Sequence, residues 1–117
     1  MLCLVRKKYP ELEVHASTQA NTSSKDTAEL FHSLGVKRVV YSREMSLKEI
    51  SEIKVPIEKE VFIHGALCIS YSGCCLMSSM IGTRSGNRGE CAGICRMPYK
   101  LARNNRIIKK EQYLLST

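Results

Sequence analysis

The chain has 117 residues, 44% of them hydrophobic, and a formal net charge of +7. That length suits one small domain, and no apolar run reaches the ~18 residues that a membrane-spanning helix needs. The N-terminal MLCLVRKKYP puts its basic residues after its apolar ones, which is not the layout of a secretory signal. A cytoplasmic location is therefore the default expectation, and there clustered cysteines are more often metal-binding or catalytic than disulfide-bonded.

In chain order, LCLVRKKY reads as the end of a helix closed by Pro10. Cys3 on it reads as a buried helix thiol. LEVHAST (Leu12 to Thr18) alternates and is β-compatible. Ser23 to Leu34 predicts a helix, capped by Ser23 or Ser24, with Ala28, Leu30, Phe31 and Leu34 on its apolar face and Gly35 at its end. KRVVYSRE (Lys37 to Glu44) is a short β-rich run. Ser46 and Glu49 form a capping-box pair, in which each side chain satisfies the other's free backbone donor, and this opens a helix to about Ile53. EVFIHGAL (Glu60 to Leu67) is expected to be a third strand.

The pattern β-α-β-α-β with short connections implies right-handed crossovers and parallel strands. Parallel strands are normally covered on both faces. Three of them with two helices therefore read as a partial TIM-barrel-like α/β arc, with self-association expected of an isolated arc that exposes its edges. Active groups of such barrels gather at the C-terminal strand ends, which here are His15 to Gln19, Arg43 to Glu44 and His64 to Cys68. The expected organisation is a partial barrel segment over 1–67, a cysteine-rich segment over 68–99 and a hairpin-like tail over 100–117, turning at Asn104-Asn105.

Five of the six cysteines, Cys68, Cys74, Cys75, Cys91 and Cys95, lie in the middle segment, among Gly73, Gly82, Gly86, Gly89 and Gly93. So irregular a stretch needs a stabiliser besides apolar packing, and a metal centre serves. Thiolates suit zinc or iron–sulfur clusters. Cys91-x3-Cys95 fits a zinc knuckle, whereas the six residues between Cys68 and Cys75 fit one poorly and suit a larger cluster better. Redox-active or merely buried thiols remain a third reading. Cys74 and Cys75 are adjacent and point in different directions, so one of them is a bystander.

From Arg84 to Lys110 the basic residues Arg84, Arg88, Arg96, Lys100, Arg103, Arg106, Lys109 and Lys110 are opposed only by Glu90. Such a field favours RNA or a phosphate-bearing ligand, or else is a solvated face. The loop TRSGNRG, with Arg84, Asn87 and Arg88, is not a Walker sequence, since no Gly-Lys-Ser/Thr follows. His64 sits at an expected strand end. No Ser-His-Asp arrangement is recognisable.

Glu60-x-Phe62-x-x-Gly65-Ala66-Leu67-Cys68-x4-Gly73-x-Cys75-x-Met77-Ser78 resembles the signature of peptidase family U-32, the collagenase-like proteins. So do Arg84-Ser85-Gly86-Asn87-Arg88-Gly89, Cys91-Ala92 and Cys95-Arg96-x-Pro98-Tyr99, while His15-Ala16-Ser17-Thr18-Gln19 and Arg43-Glu44 fall where that family's barrel strands end. Members are much longer, so the resemblance implies a central piece whose partner is the rest of the parent barrel. It implies two activities. One is peptide hydrolysis, as the family name records. The other, found among relatives, is hydroxylation of tRNA, ribosomal RNA or a quinone precursor, in some on a 4Fe-4S cluster held by four cysteines. By position Cys68, Cys75 and Cys91 match cluster cysteines, with Cys95 or a cysteine beyond the chain as the fourth. His64, Arg84, Asn87 and Arg88 are the candidate catalytic groups. RNA hydroxylation, on a tRNA uridine, is the leading expectation. A peptidase and a zinc-stabilised RNA-binding module are the alternatives.

Overall fold

Three short strands, β1 (His15–Ala16), β2 (Arg38–Val40) and β3 (Glu58–Glu60), pair in parallel in the order β1-β2-β3. They belong to a computed structural model that describes residues 1–113. The registers are His15 with Arg38, and Arg38, Val39 and Val40 with Glu58, Lys59 and Glu60. A bridge between Thr22 and Tyr41 continues the first pairing beyond the strands. The chain divides into two units, Met1–His64 and a second that begins at Gly65.

Parallel neighbours require a crossover, and helices supply both. Helix α2 (Lys25–Ser33) joins β1 to β2, and α3 (Leu47–Glu52) joins β2 to β3. Ser24 caps α2 by accepting the Thr27 N–H. Ser46 and Glu49 form the expected capping box on α3, with the Ser46 N–H on Glu49 Oε2 at 2.7 Å and the Glu49 N–H on Ser46 Oγ at 3.2 Å. At the other end of α3, Lys59 Nζ donates to the Ile50 and Ile53 carbonyls, a cation at the negative end of the helix.

Alternation sorts the sheet's two faces. Ala16, Val39, Tyr41 and Ile57 share one core with Ala28 of α2 and Ile50 of α3, together with Val36, Ile53 and Val55. Both helices therefore cover the same face. The opposite face carries His15, Arg38, Glu58 and Glu60. There Arg38 Nε and Nη2 donate to Glu58 Oε2 at 2.9 and 2.7 Å, and Arg38 lies 3.6 Å from Glu60. Lys37 and His15 tie Glu13 to this row.

The expected third strand at 60–67 is displaced. The ladder occupies Glu58–Glu60, and Phe62 and Ile63 beyond it are 64% and 92% exposed. A strand lasts only as long as its partner. Val40 ends β2, and the Tyr41 N–H on the Glu60 carbonyl is the last rung, so the β-prone FIHGAL run has no neighbour to pair with. Cross-strand ion pairs hold the polar EKE in place instead. β1 is likewise shorter than Leu12 to Thr18. Helix α1 (Leu2–Lys8) forms as expected but has no buried residue, so Cys3 is exposed rather than buried.

Tyr41 is 1% exposed, burial pushes its phenol pKa up, and its hydroxyl meets no hydrogen-bond partner among the described residues. An unpartnered buried hydroxyl costs ~1–3 kcal/mol. Tyr41→Phe is therefore expected to stabilise the protein by about 1 kcal/mol and to raise Tm by roughly 4–8 °C. Thermal unfolding checks this, and a lower Tm contradicts it.

In the second unit, α4 (Leu76–Met80) is followed by two 3-10 turns and an antiparallel ribbon, β4 (Tyr99–Arg103) and β5 (Arg106–Gln112). Asn104 and Asn105 join the strands with φ of 47° and 61°, the paired left-handed residues of a two-residue hairpin turn. The last four residues of the expected tail, 114–117, lie outside the described residues. No helix is long and apolar enough to cross a membrane among the described residues.

Candidate functional site

Cys75 is the N-cap of α4, and its sulfur accepts the Ser78 N–H at 3.4 Å. Cap residues are usually oxygen-bearing, because an acceptor must meet the free amides of the first turn. A thiol does this best as a thiolate. The Ser78 hydroxyl, and next its backbone N–H, hold the Cys75 thiol below its ordinary range.

The backbone of Cys75 is fixed as tightly as its sulfur. Its N–H donates to Asn87 Oδ1 at 2.6 Å, and Asn87 Nδ2 donates back to its carbonyl at 3.0 Å. One side-chain amide thus clamps both polar groups of one residue across the glycine-rich loop. Ser78, 1% exposed, accepts the Gly86 N–H on its hydroxyl at 2.8 Å. A Cβ on Gly86 would lie 3.0 Å from that oxygen and 3.7 Å from Cys75 Cβ, so the loop's approach to α4 depends on glycine there.

The other cysteines sit in the same unit with different settings. The Cys91 sulfur accepts the Gly93 N–H at 3.3 Å. Cys95 is half-buried in the 3-10 turn Ile94–Arg96. Tyr99 Oη donates to the Ile94 carbonyl at 2.6 Å, and Arg96 Nη2 donates to the Leu67 carbonyl at 3.1 Å. Arg96 follows Cys95 and Leu67 precedes Cys68, so this bond ties the two cysteine segments together. Cys68, Cys74 and Cys91 are exposed, and none of the six cysteines is in a disulfide.

The sequence-derived candidates separate. Asn87 is engaged through both ends of its amide with Cys75, which makes it a positioning residue. Arg84 and Arg88 are exposed around it, and His64 is exposed at the end of the first unit. No three His, Cys, Asp or Glu side chains converge among the described residues. The donor set fits a soft metal in its chemistry: two of the four sulfurs accept backbone N–H groups, which favours thiolate ligands. No coordination geometry follows from it. Sequence reasoning placed Arg96 in the basic field and missed its tie to Leu67. The only signal was its place beside Cys95 in the Cys-Arg-x-Pro-Tyr motif.

The model of peptidase family U32 matches residues 1–117. The chain belongs to peptidase family U32. Among curated U32-like proteins, it is 45% identical over 104 residues to tRNA hydroxylation protein P of Haemophilus influenzae, covering 86% of this chain and 23% of that protein. It is 40% identical over 110 residues to a 23S rRNA 5-hydroxycytidine synthase of Escherichia coli, covering 92% of this chain and 17% of the other. A protein named collagenase from Porphyromonas gingivalis is 33% identical over 121 residues, covering 90% of this chain and 29% of its own length. The chain thus spans about a quarter or less of the length of the first two relatives. No solved structure gives a significant match.

Proposed function

We propose that the protein carrying this chain is an enzyme that hydroxylates RNA, with a tRNA uridine as the substrate and the cytoplasm as its place of action. The observation that carries the reading is the Cys75 seat: a sulfur at the N-cap of α4 that accepts the Ser78 N–H and whose thiol pKa Ser78 lowers, with its backbone fixed by Asn87, within the cysteine signature. Similarity to relatives named for tRNA and rRNA hydroxylation supports the choice of substrate. Cys68, Cys75, Cys91 and Cys95 are the ligands proposed for a 4Fe-4S cluster, with zinc as the alternative metal. When bound, such a cluster supplies one-electron chemistry. The chain's own residues hold the Cys75 sulfur and backbone, through the Ser78 N–H and the Asn87 clamp, and the exposed Arg84 and Arg88 of the same loop as Asn87 are offered to an anionic substrate.

The peptidase reading has the collagenase-named relative in its favour. Peptide hydrolysis needs a nucleophile with a base, or a metal-activated water, and the serines on α4 beside Cys75, Ser78 and Ser79, bond to backbone groups and to Ser85 rather than to a histidine. Mass spectrometry of tRNA nucleosides decides between them. Cells lacking the gene are expected to lose a hydroxylated uridine that a plasmid copy restores. An unchanged nucleoside profile, together with collagen cleavage by the purified protein, contradicts the proposal.

A further inference from the structure

The ribbon β4–β5 carries a pair of like charges that no described side chain balances. Arg103 and Arg106 are direct cross-strand partners on either side of the Asn104-Asn105 turn. Residues in that relation have Cβ atoms ~4.5–5.5 Å apart, and like charges there repel. Among the described side chains no acidic group forms an ion pair with either guanidinium. The turn draws them together regardless, because two left-handed asparagines allow only a tight two-residue connection. Around the pair lies a cleft of about 500 Å³ lined by Arg103, Asn104, Arg106 and Ile108. Lys100 and Lys109 are exposed further along the ribbon.

We propose that this hairpin tip is a binding site for a backbone phosphate of RNA, gripped between the Arg103 and Arg106 guanidiniums. The inference rests on RNA being the substrate, and it names a contact outside the cysteine segment. Two planar forks carried by directly paired residues that line one cleft suit a phosphodiester, since each offers paired donors and the anion relieves their repulsion. The ligand is the backbone rather than a base edge. The major groove of an A-form helix is too narrow to read, and the hairpin tip is lined by Arg103, Asn104, Arg106 and Ile108 rather than by the aromatic faces on which unpaired bases stack, the ribbon's Tyr99 lying at its other end with its hydroxyl on the Ile94 carbonyl.

The test uses the full-length protein and a fluorescein-labelled tRNA, with anisotropy followed across a salt series. The double variant R103Q/R106Q is expected to weaken binding at low salt at least ~10-fold and to flatten the slope of log K against log salt by about 0.9, the value for one lost phosphate contact. Lys48→Glu on α3 changes the net charge by the same two units and is expected to leave both quantities in place. The pair R103K/R106K keeps charge but loses the fork, and is expected to fall between. Equal losses in the double variant and the Lys48 variant, or no loss in either, overturn the proposal. Labelled polyglutamate that binds as tightly as tRNA, and weakens by the same factor in the double variant, also overturns it, by assigning the tip to an acidic protein. Because the readout is binding, a protein that lacks hydroxylation activity but still loses tRNA affinity in the double variant separates this site from the proposed reaction.

Discussion

Replacing Asn87 with Ala is expected to open the Cys75 segment to solvent exchange about 30-fold faster. The Cys75 N–H loses the Asn87 oxygen, while its carbonyl keeps the Ser78 and Ser79 hydroxyls at 3.5 and 3.3 Å. The N–H is part-buried, so leaving it unmet costs about 2 kcal/mol, which is roughly a 30-fold change in an opening equilibrium. Amide hydrogen exchange at Cys75 to Ser78 reads this directly, and rates equal to wild type contradict the clamp. Asn87→Asp separates its two halves. A carboxylate still accepts the Cys75 N–H, but it cannot donate to the carbonyl, and it adds a negative charge beside the sulfur. The Cys75 thiol then titrates higher than in wild type, seen as a shift of its iodoacetamide alkylation profile toward higher pH. The sign for stability follows. The folded pKa of Cys75 is depressed, so its contribution to stability is present above the ordinary thiol pKa of ~8.5 and is lost as pH falls through the folded value.

Cys75→Ser is expected to remove the metal while sparing the local fold. Serine is among the preferred N-cap residues, so α4 keeps an acceptor for the Ser78 N–H, and only the soft ligand disappears. Anaerobically purified full-length protein is expected to hold about four irons with matching sulfide, and the Ser variant to lose most of both. Cys74→Ser, at an exposed thiol outside the signature, is expected to retain them. Colourless wild-type protein holding a single zinc contradicts the cluster and leaves the zinc alternative. Unchanged iron in the Cys75 variant contradicts the ligand assignment.

Local rules recovered much of the fold. Ser46 and Glu49 spell a capping box whose two halves lie within one helical turn, and the structure forms it. Asn104-Asn105 spells a hairpin turn through the few residue types that accept positive φ. The helices α2 and α3 follow from spacing and caps. The misses share a cause, which is contact between distant residues. β3 lies on Glu58–Glu60 because Arg38, twenty positions earlier, holds those carboxylates, and the apolar FIHGAL run signalled a strand it has no partner to form. Cys3 was read from residue type alone, whereas its exposure depends on how little of α1 packs. In the cysteine segment the ligand candidates were legible as a motif. The clamp was not, because an amide reaching twelve residues back leaves no periodicity; TRSGNRG drew attention to Asn87 without showing that its amide holds the Cys75 backbone.

The link between site and function is the proposed service of the Cys75 sulfur in RNA hydroxylation. Its most direct measurement is nucleoside mass spectrometry of tRNA from cells lacking the gene, complemented either with the wild-type protein or with Cys75→Ser at matched abundance. The account predicts that the wild type restores the hydroxylated uridine and that the Ser variant does not. Equal restoration by both would contradict it.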